Sequence, residues 1–315
     1  MFSISTQSYG SLSSIKLLNE TTQESAMIIP GFGATLNSLI LKKDNLQLEV
    51  IDGNPNEAYL KSEGIGSYKG MVLFPYPNRI KGGLYTFEGR MYKFEINDGN
   101  SWNNSLHGFF AKAAFELTVQ EANKSRAMVE MVCKTDGDHS AYPFAVELKV
   151  QYMLSKNGLE VKAIATNIGK KTAPVGLGWH PYFKLNAKLN DLEMWLPPHY
   201  ELQTDKELIP TGRKNEGYTF TSFEPVGDIF LDNGYQLATQ EPEKIVRLHD
   251  TKQNVILEIT CGIGCEYLQI YTPPHRNSIA IEPQSCAPDA FNNKLGLWIL
   301  ESSKSKTLSY SVAIK

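Results

Sequence analysis

The chain has 315 residues, 42% of them hydrophobic, enough to bury a substantial core without disulfide or metal staples. Its 31 basic and 34 acidic residues leave a formal net charge of -3 and no basic run, so there is no field to attract a nucleic-acid backbone. Four cysteines in a chain of this size do not make a disulfide framework, and no apolar stretch approaches the length of a membrane-spanning helix.

The N-terminus, MFSISTQSYGSLSSIKLLNE, lacks a basic segment followed by an apolar core and does not read as a signal peptide. The expectation is a soluble cytoplasmic protein. GFGA (31–34) is too short for a dinucleotide fingerprint. FPYPNRIKGGLY (74–85) is rigid and turn-rich, and Arg79 follows Asn78 at the edge of an apolar stretch. An arginine fork of five permanent donors suits hydroxyl-rich or anionic ligands, and it equally suits a structural salt bridge. NDGNSWNNSLHGFF (97–110) is a polar loop that ends in His107, with Gly108 behind it to admit a ligand or another backbone. DGDHS (136–140) lacks the further acidic positions of a calcium loop.

From there strand periodicity is clear. In 145–154, Val146, Leu148, Val150, Tyr152 and Leu154 share one face, and Glu147, Lys149 and Gln151 take the other. SKNG turns this strand into a second alternating run, LEVKAIA (159–165). In GLGWHPYFKL (176–185), Pro181 biases His180 toward extended backbone, and a histidine there serves either packing or proton transfer. EPVGDIFLDNGYQL (224–237), with Asp228 and Asp232, carries at most a short helical turn. VILEITC, YLQIYTP and SIAIEPQ are three more strands between 255 and 284. CGIGC sets Cys261 and Cys265 four apart with no second ligand pair nearby, so both read as structural thiols. Glu282 closes an apolar run, on the rim or in a cleft, where burial would make it a better base. Leu308, Tyr310, Val312 and Ile314 alternate in a last strand. With little helical signal, residues 1–315 are expected to form one all-β domain, a large antiparallel sandwich with few short helices.

Four segments, in order, resemble the aldose 1-epimerase (galactose mutarotase-like) family: PNRIKGGLY, NSLHG, WHPYFKL and IEPQSCAPDAFN. The resemblance implies a large β-sandwich (a supersandwich) with a sugar-binding concave face, no cofactor or metal, and a small-molecule sugar as partner to a monomer or homodimer. It assigns Glu282 as general base and His180 as general acid. Arg79, Asn78 and His107 would bind the sugar, with Asp228 accepting from its hydroxyls and Asp232 as the alternative. The residue types suit the chemistry. One group takes the C1 hydroxyl proton while another protonates the ring oxygen, and their opposite charges are expected to keep the base anionic and the acid cationic.

The segments also depart from the family pattern. No second arginine precedes Asn78, Phe109-Phe110 follow Gly108, Lys184 stands where asparagine is usual, and Pro283 follows Glu282. These bear on which sugar is bound. A hexose-6-phosphate 1-epimerase, with Lys81, Lys184 or Arg213 at the pocket rim, therefore stays open, as does a non-catalytic carbohydrate-binding domain. A glycoside hydrolase would need a second facing carboxylate.

Overall fold

A computed structural model describes residues 1–99, 103–216, 219–238 and 244–315. Trp102, in the polar loop, lies outside the described residues. Three large antiparallel sheets dominate. Phe2–Tyr9, Leu12–Asn19, Ser25–Ile29, Thr35–Lys43 and Leu46–Glu49 form a five-stranded meander in sequence order. A nine-stranded sheet runs Glu116–Ala122, Arg126–Asp136, Ala145–Ser155, Gly158–Asn167, Ser305–Ile314, Val255–Cys261, Ile245–Asp250, Glu193–Trp195, Glu224–Pro225. Ala145–Ser155 alternates buried and half-buried along its whole length, as its sequence pattern requires. It pairs with Gly158–Asn167 across the SKNG turn.

The third sheet carries the site. Its order is Pro210–Glu216, His199–Thr204, Asp232–Leu237, Tyr267–Tyr271, Ile279–Gln284, Gly178–Trp179, Val72–Leu73, and Tyr182–Phe183 also pairs with Ile279–Gln284. The stretch 224–237 holds two strands, Glu224–Pro225 and Asp232–Leu237, and no helix. The short helical turn that the sequence allowed there does not form, because pairing with distant strands outweighs local preference. Helix is confined to short pieces, chiefly Glu57–Tyr59, the π-turn Leu60–Gly64, Ile65–Ser67 and Ala290–Asn293.

One contiguous apolar cluster joins side chains of all three sheets, among them Leu17, Val150, Leu257, Ile281 and Tyr310. Trp179 is fully buried in it and stacks on Tyr310 of the nine-stranded sheet with ring centroids 4.3 Å apart. Its indole Nε1 donates to the Gly70 carbonyl at 3.1 Å. Successive residues of a strand face opposite ways, so anchoring Trp179 in the core turns His180 to the other face. Cys261 and Cys265 are buried free thiols. Replacing Trp179 with Ala should remove about 3–5 kcal/mol of stability, read as a lower urea midpoint. Trp179→Phe should keep most of it, and an unchanged midpoint for Trp179→Ala would contradict this anchoring role.

Candidate active site

The strand Ile279–Gln284 sets the geometry. On one side Gly178 faces Gln284 and Tyr182 faces Ala280, so the same register places His180 opposite Glu282. On the other side Gln269 faces Glu282 and Tyr271 faces Ala280. Asp232 in turn faces Tyr271. Directly opposed residues in antiparallel strands point to the same face. Asp232, Gln269, Tyr271 and Glu282 from three strands, and His180 from the link just after Gly178–Trp179, are therefore brought together with Tyr182. They line a cavity of about 200 Å³.

The chain segments around residues 78 and 107 close the other wall. Asn78 and His107 both adopt left-handed backbone conformations, with φ of 57° and 60°. They are tied to each other: the His107 backbone N–H donates to the Asn78 carbonyl at 2.9 Å, and the Asn78 N–H donates to His107 Nδ1 at 3.0 Å. Gly108 also has positive φ, and a Cβ there would lie 2.2 Å from the Phe74 carbonyl oxygen, so this turn requires glycine. The close approach that glycine allows is thus to another backbone. Asp289, in the PDAFN segment, fixes Arg79 from behind. Its N–H donates to the Arg79 carbonyl at 2.7 Å, and its Oδ1 accepts from the Lys81 N–H at 3.0 Å.

Electrostatics then assign states to these groups. Because His107 Nδ1 accepts a backbone N–H, its proton sits on Nε2, which makes it a neutral donor. Burial, with the charges of His180 and Arg79, holds its pKa well below the ordinary imidazole value. Arg79 Nε donates to buried Asp98 at 2.8 Å, so Arg79 is both salt-bridged and part of the cavity lining. Gln269 is held at both ends. Its Nε2 donates to Asp232 Oδ1 at 2.7 Å and its Oε1 accepts from Asn78 Nδ2 at 3.2 Å. His180 Nε2 lies 3.3 Å from Glu282 Oε1, and Gln284, which does not line the cavity, donates from Nε2 to Glu282 Oε2 at 3.0 Å. The His180 ring lies nearly parallel to Tyr182, with centroids 5.1 Å apart.

Burial drives both members of the His180–Glu282 pair toward their uncharged forms. It raises the Glu282 carboxyl well above its usual range, with Asp232 adding to the rise, and lowers His180 to about 3. This opposes the expectation that mutual attraction keeps the base anionic and the acid cationic. The neutral pair and the ion pair nevertheless hold the same single proton, on oxygen in one and on nitrogen in the other. The arrangement is therefore a one-proton device that can take a proton at one atom and give one at the other.

Of the expected residues, Asn78, Arg79, His107, His180 and Glu282 converge on the cavity. Asp228 does not: it is exposed and accepts a hydrogen bond from Asn190. Asp232 lines the cavity in its place, because it begins the strand paired with Tyr267–Tyr271 whereas Asp228 lies in the preceding loop. Sequence reading passed over Gln269 and Tyr271. Their signal was a glutamine alternating with two tyrosines in YLQIY, a polar side chain on an otherwise aromatic face. Lys184 lines a separate cavity of about 470 Å³ with Asp52, Tyr59 and Lys69. Lys81 pairs with Asp205 at 3.0 Å, and Arg213 is exposed on Pro210–Glu216.

The raised Glu282 pKa has a consequence for stability. The folded state holds this proton more tightly than the unfolded chain does, so stability falls as pH rises above the unfolded carboxyl value of about 4.3. Glu282→Gln removes the titration. It should raise the melting temperature by about 2–5 °C at about pH 8, with the gain vanishing near pH 4. A lower melting temperature for the variant at pH 8 would contradict the raised pKa.

Residues 15–313 match the family model described as Aldose 1-epimerase. Galactose mutarotase from Bos taurus is 28% identical over 84% of this chain and 83% of its own length. The uncharacterized protein YihR from Escherichia coli K12 is 28% identical over 78% of this chain and 79% of its own. The fold agrees with solved structures. A galactose mutarotase-like protein from Clostridium acetobutylicum superposes with a TM-score of 0.89 at 19% identity, covering 100% of this chain and 98% of that one. Galactose 1-epimerase from Lactobacillus acidophilus gives 0.82 at 15% identity, over 100% and 98%. With the family model spanning nearly its whole length, the chain belongs to the aldose 1-epimerase family.

Proposed function

We propose that the protein is a mutarotase that interconverts the α and β anomers of an uncharged aldose. The observation that carries this reading is the buried His180–Glu282 pair, 3.3 Å apart, facing a cavity of one-ring size. The sugar's O1 and ring oxygen sit on the same carbon, so two proton-handling atoms side by side match them. With the sugar bound, the pair's proton first passes from Glu282 Oε1 to His180 Nε2 across the 3.3 Å contact, and the resulting Glu282 carboxylate takes the proton from the O1 hydroxyl as the bond between C1 and the ring oxygen breaks. The ring oxygen takes a proton from His180 Nε2. The open-chain aldehyde turns about C1–C2, and the reverse transfers close the ring on its other face. The pair ends with its one proton on Glu282 and returns it on closure, so no net charge enters or leaves the site. Burial favours the neutral pair, with its proton on Glu282, both in the empty site and beside the open-chain aldehyde, so the ion pair is confined to ring opening and closure.

His107 Nε2–H, Arg79 and Asn78 serve as fixed donors to sugar oxygens, and Asp232 as an acceptor. The charges favour a neutral substrate over a sugar phosphate. Among the described lining residues Arg79 is the one arginine or lysine and already contacts Asp98, while a carboxylate at Asp232 would repel a phosphate. None of Lys81, Lys184 and Arg213 is among the residues that line this cavity. A purely binding domain is the weaker reading, because a buried imidazole–carboxyl pair costs stability that sugar binding alone does not require.

Polarimetry on freshly dissolved α-glucose, α-galactose and their 6-phosphates tests this. The free sugars should equilibrate far faster with protein than without, and faster than the phosphates. Glu282→Gln and His180→Asn should each lower kcat by about 10²–10⁴-fold. A wild-type rate in Glu282→Gln would sink the assignment.

The pH profile follows from the pair. A second proton reaches His180 only near its depressed value of about 3, and the shared proton leaves only above the raised Glu282 value. kcat/KM should therefore stay level as pH falls from about 7.5 to about 5.5, through the ordinary histidine range. A rate that halves near pH 6.5 would contradict the one-proton pair.

A further inference from the structure

We propose that Lys69 is a positioning residue for the catalytic pair: its ammonium group, tied to Asp52, holds the Tyr182 ring against which the His180 imidazole is set. The proposal rests on the mutarotase reading of the cavity. His180 needs such a support. Its Nε2 lies 3.3 Å from Glu282, but its buried Nδ1 has no hydrogen-bond partner among the described residues. His107, by contrast, is fixed by Asn78. The orientation of the His180 ring therefore depends on the rings stacked beside it. These are Tyr182, 5.1 Å away and 15° from parallel, and Tyr68, 6.3 Å away at 21°.

Lys69 secures the nearer ring. It is 7% exposed, so its charge is almost out of water. Its Nζ lies 2.8 Å from Asp52 Oδ2, which also accepts from Ser278 Oγ at 2.8 Å. The same Nζ stands over the Tyr182 ring, 5.5 Å from its centroid. A cation within about 6 Å of an aromatic centroid is attracted to the ring's negative face. The chain around Lys69 and Asp52 grips the same stretch. The Tyr182 hydroxyl donates to the Ser67 carbonyl at 3.2 Å, the Gly70 N–H to the His180 carbonyl at 2.8 Å, and the Asp52 N–H to the Tyr182 carbonyl at 2.8 Å. Those bonds fix the backbone and the phenol end, and Lys69 fixes the face. Lys69 lines the neighbouring cavity of about 470 Å³ and is not among the described residues lining the catalytic one, so it acts on His180 through Tyr182.

Packing alone does not call for an ammonium group here. A buried ion pair often contributes no more stability than apolar side chains of similar volume. What lysine adds over methionine is a charge above Tyr182 and a tie to Asp52. Burial raises the Asp52 pKa, but the hydrogen bond and charge of Lys69 outweigh it and hold the carboxyl below its usual value, so the tie persists at neutral pH.

Two measurements test this. In the first, polarimetry gives kcat and KM for a free aldose. Lys69→Met should lower kcat by about tenfold to a hundredfold with KM within about twofold of wild type, because a misplaced imidazole slows proton transfer while the sugar's other contacts remain. Lys69→Arg keeps a cation over the ring and should restore most of the rate. Lys69→Met combined with Asp52→Asn leaves no unpaired carboxylate and should show the same loss in folded protein. A wild-type kcat in either methionine variant overturns the proposal. In the second, proton NMR follows the His180 ring protons, which the ring current of Tyr182 shifts. They should move toward ordinary values in both methionine variants while the His107 ring protons stay in place. Unmoved His180 protons also overturn the proposal. This readout needs no turnover. Variants that move His180 in a protein that accelerates no mutarotation would refute the proposed reaction and leave the positioning role standing.

Discussion

The register of one buried strand decides what this protein can do. Ile279–Gln284 is hydrogen-bonded on both sides, and all six of its residues are buried. Its pairing with Gly178–Trp179 and Tyr182–Phe183 sets His180 across from Glu282, and its pairing with Tyr267–Tyr271 sets Gln269 across from Glu282. A slip of one residue would turn Glu282 into the core and bring Ile281 to the pocket. The stacking of Trp179 on Tyr310 and the Ser285–Leu177 hydrogen bonds at 2.8 Å resist that slip. The fold is a frame that holds two side chains at a set distance.

What the frame holds is costly. A carboxyl group and an imidazole with almost no contact with water favour their neutral forms, and the pocket adds Asp232 nearby. The large apolar core of three sheets offsets that cost. Gln284 satisfies the second carboxyl oxygen with a neutral donor, which orients the group without adding a counter-charge. The Asn78–His107 pair does the same for the second imidazole by fixing its tautomer. Neutral donors thus orient the Glu282 carboxyl and the His107 ring, and the single shared proton stays free to move.

Much of this was legible in the sequence, and the failures have physical causes. Ala145–Ser155 announced itself by alternation because one of its faces meets water. Ile279–Gln284 is covered on both faces, so alternation could not say whether Glu282 lay on a rim or in a cleft. The convergence of Asn78, Arg79, His107, His180 and Glu282 was expected from ordered motifs. The choice between Asp228 and Asp232 was not, because four residues of separation mean little until pairing with a strand some forty positions away fixes which one faces inward. The short helical pieces over 57–67 carry no apolar stripe to reveal them. Lys184 stood out as unusual, yet its side chain serves a neighbouring cavity.

The state of the shared proton can be observed directly. Nitrogen-15 NMR of histidine-labelled protein, assigned with His180→Asn, reports whether His180 is neutral or cationic across the pH range. A neutral imidazole is expected in the empty pocket from about pH 5 to about pH 8, with no titration step near the ordinary histidine value. A His180 signal that titrates near 6.5, or one that is cationic at neutral pH, would contradict it.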